Sequence, residues 1–173
     1  IPLAFIEVKK PNNKGGIKAE YDRMLMRVKN KKFRRFINLT QIMVFSNNSE
    51  YDDTEAVPLE GAFYSTISYE KLFFSHFREE DEKLLTSVPE KDEAVENFIL
   101  TDNNLSSIKY SPEYVTNSSP VSPTNRIITS LFSFERILTF LKYAIAYVER
   151  TDENGITHLE KHLMRYPQFF ATK

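Results

Sequence analysis

Two residues of opposite charge, Glu7 and Lys9, stand two positions apart in the run "AFIEVKKPNN" at residues 4–13. Successive side chains of a strand alternate faces, so these two project on the same side. A carboxylate at a strand end is a hard oxygen ligand suited to Mg2+. An ammonium beside it stabilises charge developing on a phosphate, or positions an attacking water. Alone, an E-x-K pattern is common, and its ordinary reading is a Glu–Lys pair closing a strand.

A second group with chemistry follows closely. "RVKNKKFRR" at 27–35 packs six cations into nine residues: Arg27, Lys29, Lys31, Lys32, Arg34 and Arg35. Such a cluster suits phosphate contacts, which hold duplex DNA without reading its sequence. The competing reading is a solvated face, with Arg27 and Lys31 complementing a helix C-terminus. Phe33 and Phe36 are expected to anchor the segment to the core. Residues 1–35 carry a balance of +8 and the other 138 carry −9, although the chain's net charge is only −1. A polyanion is therefore drawn to the first part and repelled by much of the rest.

Other chemistries find less support. His158 and His162 have the i, i+4 spacing of helical metal ligands, but Leu159 breaks H-E-x-x-H and no cysteine can join them. They read as exposed helix residues. Asp52–Asp53 and the acids of 79–82 read as solvated surface. The glycines are Gly15, Gly16, Gly61 and Gly155, so no phosphate-cradling loop exists. There is no nucleophile elbow for a serine hydrolase. With zero cysteines, disulfides and thiolate metal sites are excluded, and a cytoplasmic location is expected. No apolar stretch is long enough to span a bilayer, so no membrane partner is expected, and no secretory signal is evident.

The elements that must position these groups are readable in outline. The 173 residues suffice for one domain with a core, with or without an appended segment. "IPLAFIEVKK" reads as a strand and "PNNKGG" as a turn. Ile17, Tyr21, Met24 or Leu25, and Val28 recur with helical spacing, and Lys18, Arg23 and Arg27 occupy the opposite face. "TQIMVFS" at 40–46 and "AFYSTIS" at 62–68 read as further strands. Helices are expected at 68–85, 92–100 and about 124–143, with a Ser- and Pro-rich loop at 111–125. Asn154-Gly155 marks a hairpin, and a final helix is expected from about Thr157.

"PLAFIEVKKPN" followed by "GGIKAEYDRM", then "NKKFRRFINLTQIMVFSNNSEYDD", "GAFYSTIS" and "HLEKHLMRYPQFFA", resembles the restriction and translocation subunit of type I restriction–modification enzymes. The resemblance runs over essentially the whole chain. It implies an α/β (mixed α+β) fold with a PD-(D/E)xK restriction-endonuclease-like core around a central mixed sheet, then a mainly helical segment. Residues 1–88 would be the later part of the nuclease domain, and 89–173 the connection to a helicase motor. Glu7 would be a Mg2+ ligand and Lys9 the residue that positions the catalytic base, in Mg2+-dependent hydrolysis of double-stranded DNA. Gln168, in "RYPQFFA", matches a glutamine that reads the adenine of ATP in the full subunit. Methylation and specificity subunits would be partners.

Two departures accompany the resemblance. The family's other metal-binding Asp belongs to a strand before E-x-K, upstream of Ile1, so the fragment alone is expected to be inactive. The family's Q-x-x-x-Y positions on the following helix hold Arg23 and Arg27. The rival expectation is a non-catalytic DNA-binding or subunit-interaction module with a degenerate nuclease fold.

Overall fold

Ile42–Ser46, the apolar run IMVFS, is buried at every position and forms the middle of the molecule. A strand covered on both faces reads as a continuous apolar run, not as an alternation. The computed structural model describes residues 3–10, 15–51, 60–68, 71–79, 81–86 and 90–172. Strand β1 (Ala4–Val8) lies parallel to β2 (Ile42–Ser46), with Glu7 opposite Phe45. Strand β3 (Ala62–Ser65) runs antiparallel on the far side of β2. Two short strands, β4 (Ile67–Ser68) and β5 (Lys71–Leu72), form a separate hairpin. Strand β6 (Ser75–His76) pairs with β3 and completes a mixed sheet in the order β1, β2, β3, β6. The fold is mixed α/β.

A parallel pair needs a crossover, and helices α1 (Gly16–Lys29) and α2 (Arg34–Leu39) supply it. Gly15 precedes α1 with φ 79°, a left-handed conformation that glycine adopts without a Cβ penalty. The expected apolar stripe of α1 packs as read: Ile17 and Met24 are buried against Met43, Phe45 and Phe63, with Tyr21 and Val28 at the margin.

The opposite face of the sheet is covered by the second half of the chain. Its elements are α3 (Glu82–Thr86), α4 (Glu93–Asp102), α5 (Pro112–Asn117), α6 (Pro123–Phe132) and α7 (Phe134–Thr139), then a π-turn at Phe140–Ala144. Strands β7 (Ile145–Thr151) and β8 (Thr157–Leu163) and helix α8 (Tyr166–Ala171) follow. Ile127, Leu131, Phe140 and Phe169 pack on Ile42, Val44, Ala62 and Tyr64. The Tyr64 phenol donates to the Met164 carbonyl at 2.7 Å, and burial pushes its pKa up. This cluster joins residues from both halves of the chain. Among the described residues no helix is long and apolar enough to cross a membrane.

Three sequence expectations are corrected. The helix expected over 68–85 is β5, β6 and only the short α3, because Leu72, Ser75 and His76 pair with strands rather than with their own turn. Short apolar aromatic runs carry no period that separates strand from helix. The loop at 111–125 contains α5, capped by the Ser111 hydroxyl accepting the Tyr114 N–H with Pro112 in the first turn. The helix expected from Thr157 is β8, which pairs with β7 from Ile145↔Leu163 to Thr151↔Thr157. The second half is thus helices plus one long hairpin, turned at Asn154-Gly155 as read. The Pro11–Lys14 part of the expected first turn lies outside the described residues.

Candidate metal and nucleic-acid site

Glu7 and Lys9 emerge at the end of β1 on the face that α1 covers, because they alternate with Ala4, Ile6 and Val8 and share their side with Phe5. Lys9 Nζ donates to Glu7 Oε1. It also reaches Glu20 Oε2 at 3.1 Å, and Glu20, one turn into α1, is fully buried. Arg23 Nη1 lies 2.8 Å from Glu20 Oε2 and Arg27 Nη1 3.7 Å from Oε1. Five charges from one strand end and one helix face therefore interlock. Glu20 is the member that sequence reasoning missed. Its signal was its helical register with Ile17, Arg23 and Arg27, which places it where α1 meets the sheet.

The Lys9 pKa is raised, first by the Glu7 hydrogen bond and further by Glu20, against the opposing effect of burial. Lys9 is therefore an ammonium at neutral pH and acts through charge, not as a proton acceptor. Its pairing stabilises the fold fully below the ordinary lysine pKa and is lost only as pH rises through the raised value. Both Glu20 oxygens are buried without an aligned hydrogen-bond donor and are held by charge alone. Mg2+ is commonly held by one or two carboxylates, with water and substrate phosphate completing its shell. Glu7 and Glu20, which reach the same ammonium, fit that donor set. Among the described residues no three His, Asp or Glu side chains form a metal cage.

Beside this strand end lies a cleft of about 280 Å3 lined by Val8, Lys9, Lys10, Asn48, Asn117, Thr124 and Asn125. Asn48 builds it from a left-handed backbone at φ 58°. Its amide donates to Asn117 Oδ1 at 2.6 Å, and its Oδ1 accepts the Thr124 N–H at 3.0 Å. Ser46 Oγ and Thr124 Oγ1 meet at 2.7 Å beneath it. The "SNN" that ends β2 thus ties the strand to the start of α6 and leaves polar groups and Lys10 around the opening.

The basic segment follows α1 as a 3-10 turn at Lys31–Phe33 and the start of α2. Lys29, Lys31, Lys32, Arg34 and Arg35 are exposed, and none has a carboxylate partner among the described residues. Arg27 differs: it is drawn toward Glu20 and also lies over the Phe33 ring at 5.9 Å. Phe36 anchors the segment edge-on to Phe5 at 5.5 Å, as expected. Phe33 does not, being 39% exposed.

The remaining residues singled out by sequence fall elsewhere. The Gln168 side chain accepts the Arg165 N–H at 2.9 Å and so caps α8. His158 and His162 stand on β8, not on a helix, with Glu160 between them on one strand face. His162 Nε2 is 2.9 Å from Glu160 Oε2, where Arg150 Nε also arrives at 3.0 Å. Glu79 is not solvated surface: it is buried against Arg136. Asp52, Asp53 and Glu80 lie outside the described residues.

Lys161 was not singled out, yet it is buried on β8 and donates to the Ile37 and Thr40 carbonyls at 3.0 and 2.6 Å. Burial pushes its pKa down from 10.5 to about 8. Between those values the unfolded chain holds a proton that the folded chain has released, so stability rises with pH. Urea denaturation at about pH 7.5 and about pH 9.5 should show a gain approaching 2 kcal/mol that Lys161→Met lacks. Equal pH responses in both proteins would contradict the burial of an unpaired ammonium.

No family model matches the chain, no curated protein matches it, and no solved structure matches it.

Proposed function

We propose that this chain is part of the DNA-cleaving nuclease domain of a type I restriction endonuclease subunit, a Mg2+-dependent hydrolase of double-stranded DNA. The observation that carries the reading is the convergence of Glu7, Lys9 and the buried Glu20 at one strand end, continuous along α1 with unpaired cations. Bound Mg2+ would polarise the scissile phosphate and lower the pKa of an attacking water. Glu7 and Glu20 would hold the ion. Lys9, kept protonated by its acid neighbours, orients the nucleophile and offsets charge developing on the phosphate. Arg23 and Arg27 keep Glu20 in place. Lys29, Lys31, Lys32, Arg34 and Arg35 hold the backbone without selecting sequence. On the family resemblance, translocation driven by ATP belongs to the rest of the subunit, and sequence recognition and methylation belong to its partner subunits.

One observation favours a second reading, a non-catalytic DNA-binding or interaction module. Lys9 is engaged by both carboxylates, and Glu20 is also neutralised by Arg23 and Arg27, so the cluster is closed on itself. The nuclease reading and the DNA-binding form of the second both require the basic turn to touch DNA, whereas a subunit-interaction module does not. Converting Lys31, Lys32, Arg34 and Arg35 to Ala should weaken duplex binding about equally across sequences. Each phosphate left without its cation should flatten the slope of log K against log salt by roughly 0.9, because fewer counterions are released. A solvated face predicts an unmoved slope, and titrations at several salt concentrations decide.

A further inference from the structure

The basic turn is more than an exposed ridge. A cleft of about 230 Å3 opens between it and β8, lined by Lys29, Asn30, Lys31, Arg34, Asn38 and Lys161 over an apolar floor that includes Ile37, Ile67 and Leu159. Four cations converge there, and among the described residues no carboxylate lines the cleft. Three of them, Lys29 at the end of α1, Lys31 in the turn and Arg34 at the start of α2, are exposed, while the fourth arrives from a strand more than 120 positions later and is buried. Lys161 spends two donor positions on the Ile37 and Thr40 carbonyls and has no acid partner among the described residues.

A duplex backbone presents singly charged diesters, which a ridge of lysines meets one at a time. A concave site with four cations matches a more highly charged ligand, because donors on several sides can each meet a separate oxygen. Arg34 offers a planar fork suited to two phosphate oxygens, and the lysines act as point charges around it. The amide of Asn38 and the Nδ2 of Asn30 add neutral donors, since Asn30 Oδ1 already accepts the Lys32 N–H at 3.0 Å. The lowered pKa of Lys161 has the same cause, an ammonium buried without a countercharge.

From this geometry we infer that the cleft between the basic turn and β8 binds a phosphate group bearing two or more negative charges, a phosphomonoester or a diphosphate. This sharpens the phosphate-contact reading of the basic turn and rests on it. The same chemistry has two sources, the terminal phosphate of a DNA strand or a free diphosphate. Lys32 and Arg35 belong to the same turn but do not line the cleft.

The test is calorimetry on the chain at about 150 mM salt, with inorganic pyrophosphate and with short duplexes bearing either a 5′-phosphate or a 5′-hydroxyl. Pyrophosphate should bind, and Lys31→Gln with Arg34→Gln should weaken it about tenfold per cation removed. Lys32→Ala with Arg35→Ala should leave pyrophosphate affinity unchanged while lowering duplex affinity. Lys161→Met should also weaken pyrophosphate; because that variant touches the fold, the exposed pair Lys31 and Arg34 decides if it is unstable. Tighter binding of the 5′-phosphorylated duplex assigns the site to a DNA terminus, and equal duplex binding with retained pyrophosphate binding assigns it to a free diphosphate. The inference is overturned if pyrophosphate does not bind, or if both pairs of substitutions weaken it equally. Duplex binding that is insensitive to Lys32 and Arg35 instead overturns the backbone-contact reading, leaving the pyrophosphate result to stand separately.

Discussion

On the function proposed above, Glu7→Ala and Lys9→Ala, each made in the whole restriction subunit, are expected to abolish Mg2+-dependent cleavage of duplex DNA while sparing ATP-driven translocation. The size of the effect follows from charge. Losing a carboxylate ligand or the adjacent ammonium removes several kcal/mol of transition-state stabilisation, which is several orders of magnitude in rate. The two variants should fail for different reasons. Without Glu7 the donor set falls to Glu20, and Lys9 loses the partner that contributes most to its raised pKa. Without Lys9, two acids face each other with only Arg23 and Arg27 left on Glu20. Glu20→Gln tests the residue that sequence reading passed over, and cleavage should fall with it too. Plasmid cleavage time courses beside translocation assays measure this directly, and wild-type cleavage by the Glu7 or Lys9 variant would sink the assignment.

The largest expected effect on stability lies far from that site. Arg136 on α7 forms a two-point pair with Glu79, at 2.9 and 3.3 Å, and the two side chains are 6% and 2% exposed. The guanidinium also lies 5.1 and 5.2 Å from the rings of Phe169 and Phe170. Arg136→Met leaves Glu79 buried and unpaired, which should cost about 3–5 kcal/mol. Adding Glu79→Leu removes the stranded charge, so the double variant should recover most of that loss. The pair Arg126–Glu50, at 2.5 Å but on the surface, is the control, and breaking it should cost no more than about 1 kcal/mol. Urea denaturation of the four proteins checks the order. A double variant as unstable as Arg136→Met would show that the loss comes from packing around Phe169, not from the charge.

Much of the frame was legible because it depends on local rules. The E-x-K alternation placed Glu7 and Lys9 together, the apolar spacing of α1 gave its buried stripe, and Asn154-Gly155 gave the hairpin. What escaped depends on partners distant in sequence. Glu20 looks like one more charge on a mixed-charge helix, and only the end of β1 reveals why it is buried. Lys161 sits among "HLEKHL", whose charges suggest a surface helix, until pairing with β7 turns it toward the end of α2. Glu79 likewise read as solvated because its partner lies 57 positions away. The stretch from Lys71 to Phe77 misled for another reason, since its two-residue strands β5 and β6 are too short to show any period. Missed residues were therefore charged groups whose partners the chain brings from elsewhere.

The proposed function stands on Glu7 and Glu20 holding a divalent ion at the end of β1. Metal-directed backbone cleavage measures this without relying on catalysis: the protein is loaded with Fe2+ in place of Mg2+, and peroxide and ascorbate generate radicals at the bound ion. Cuts are expected near residues 7–9 and near residue 20, suppressed by excess Mg2+ and absent in Glu7→Ala. Cuts that ignore Mg2+ and persist in Glu7→Ala, or no cuts near either residue, would contradict it.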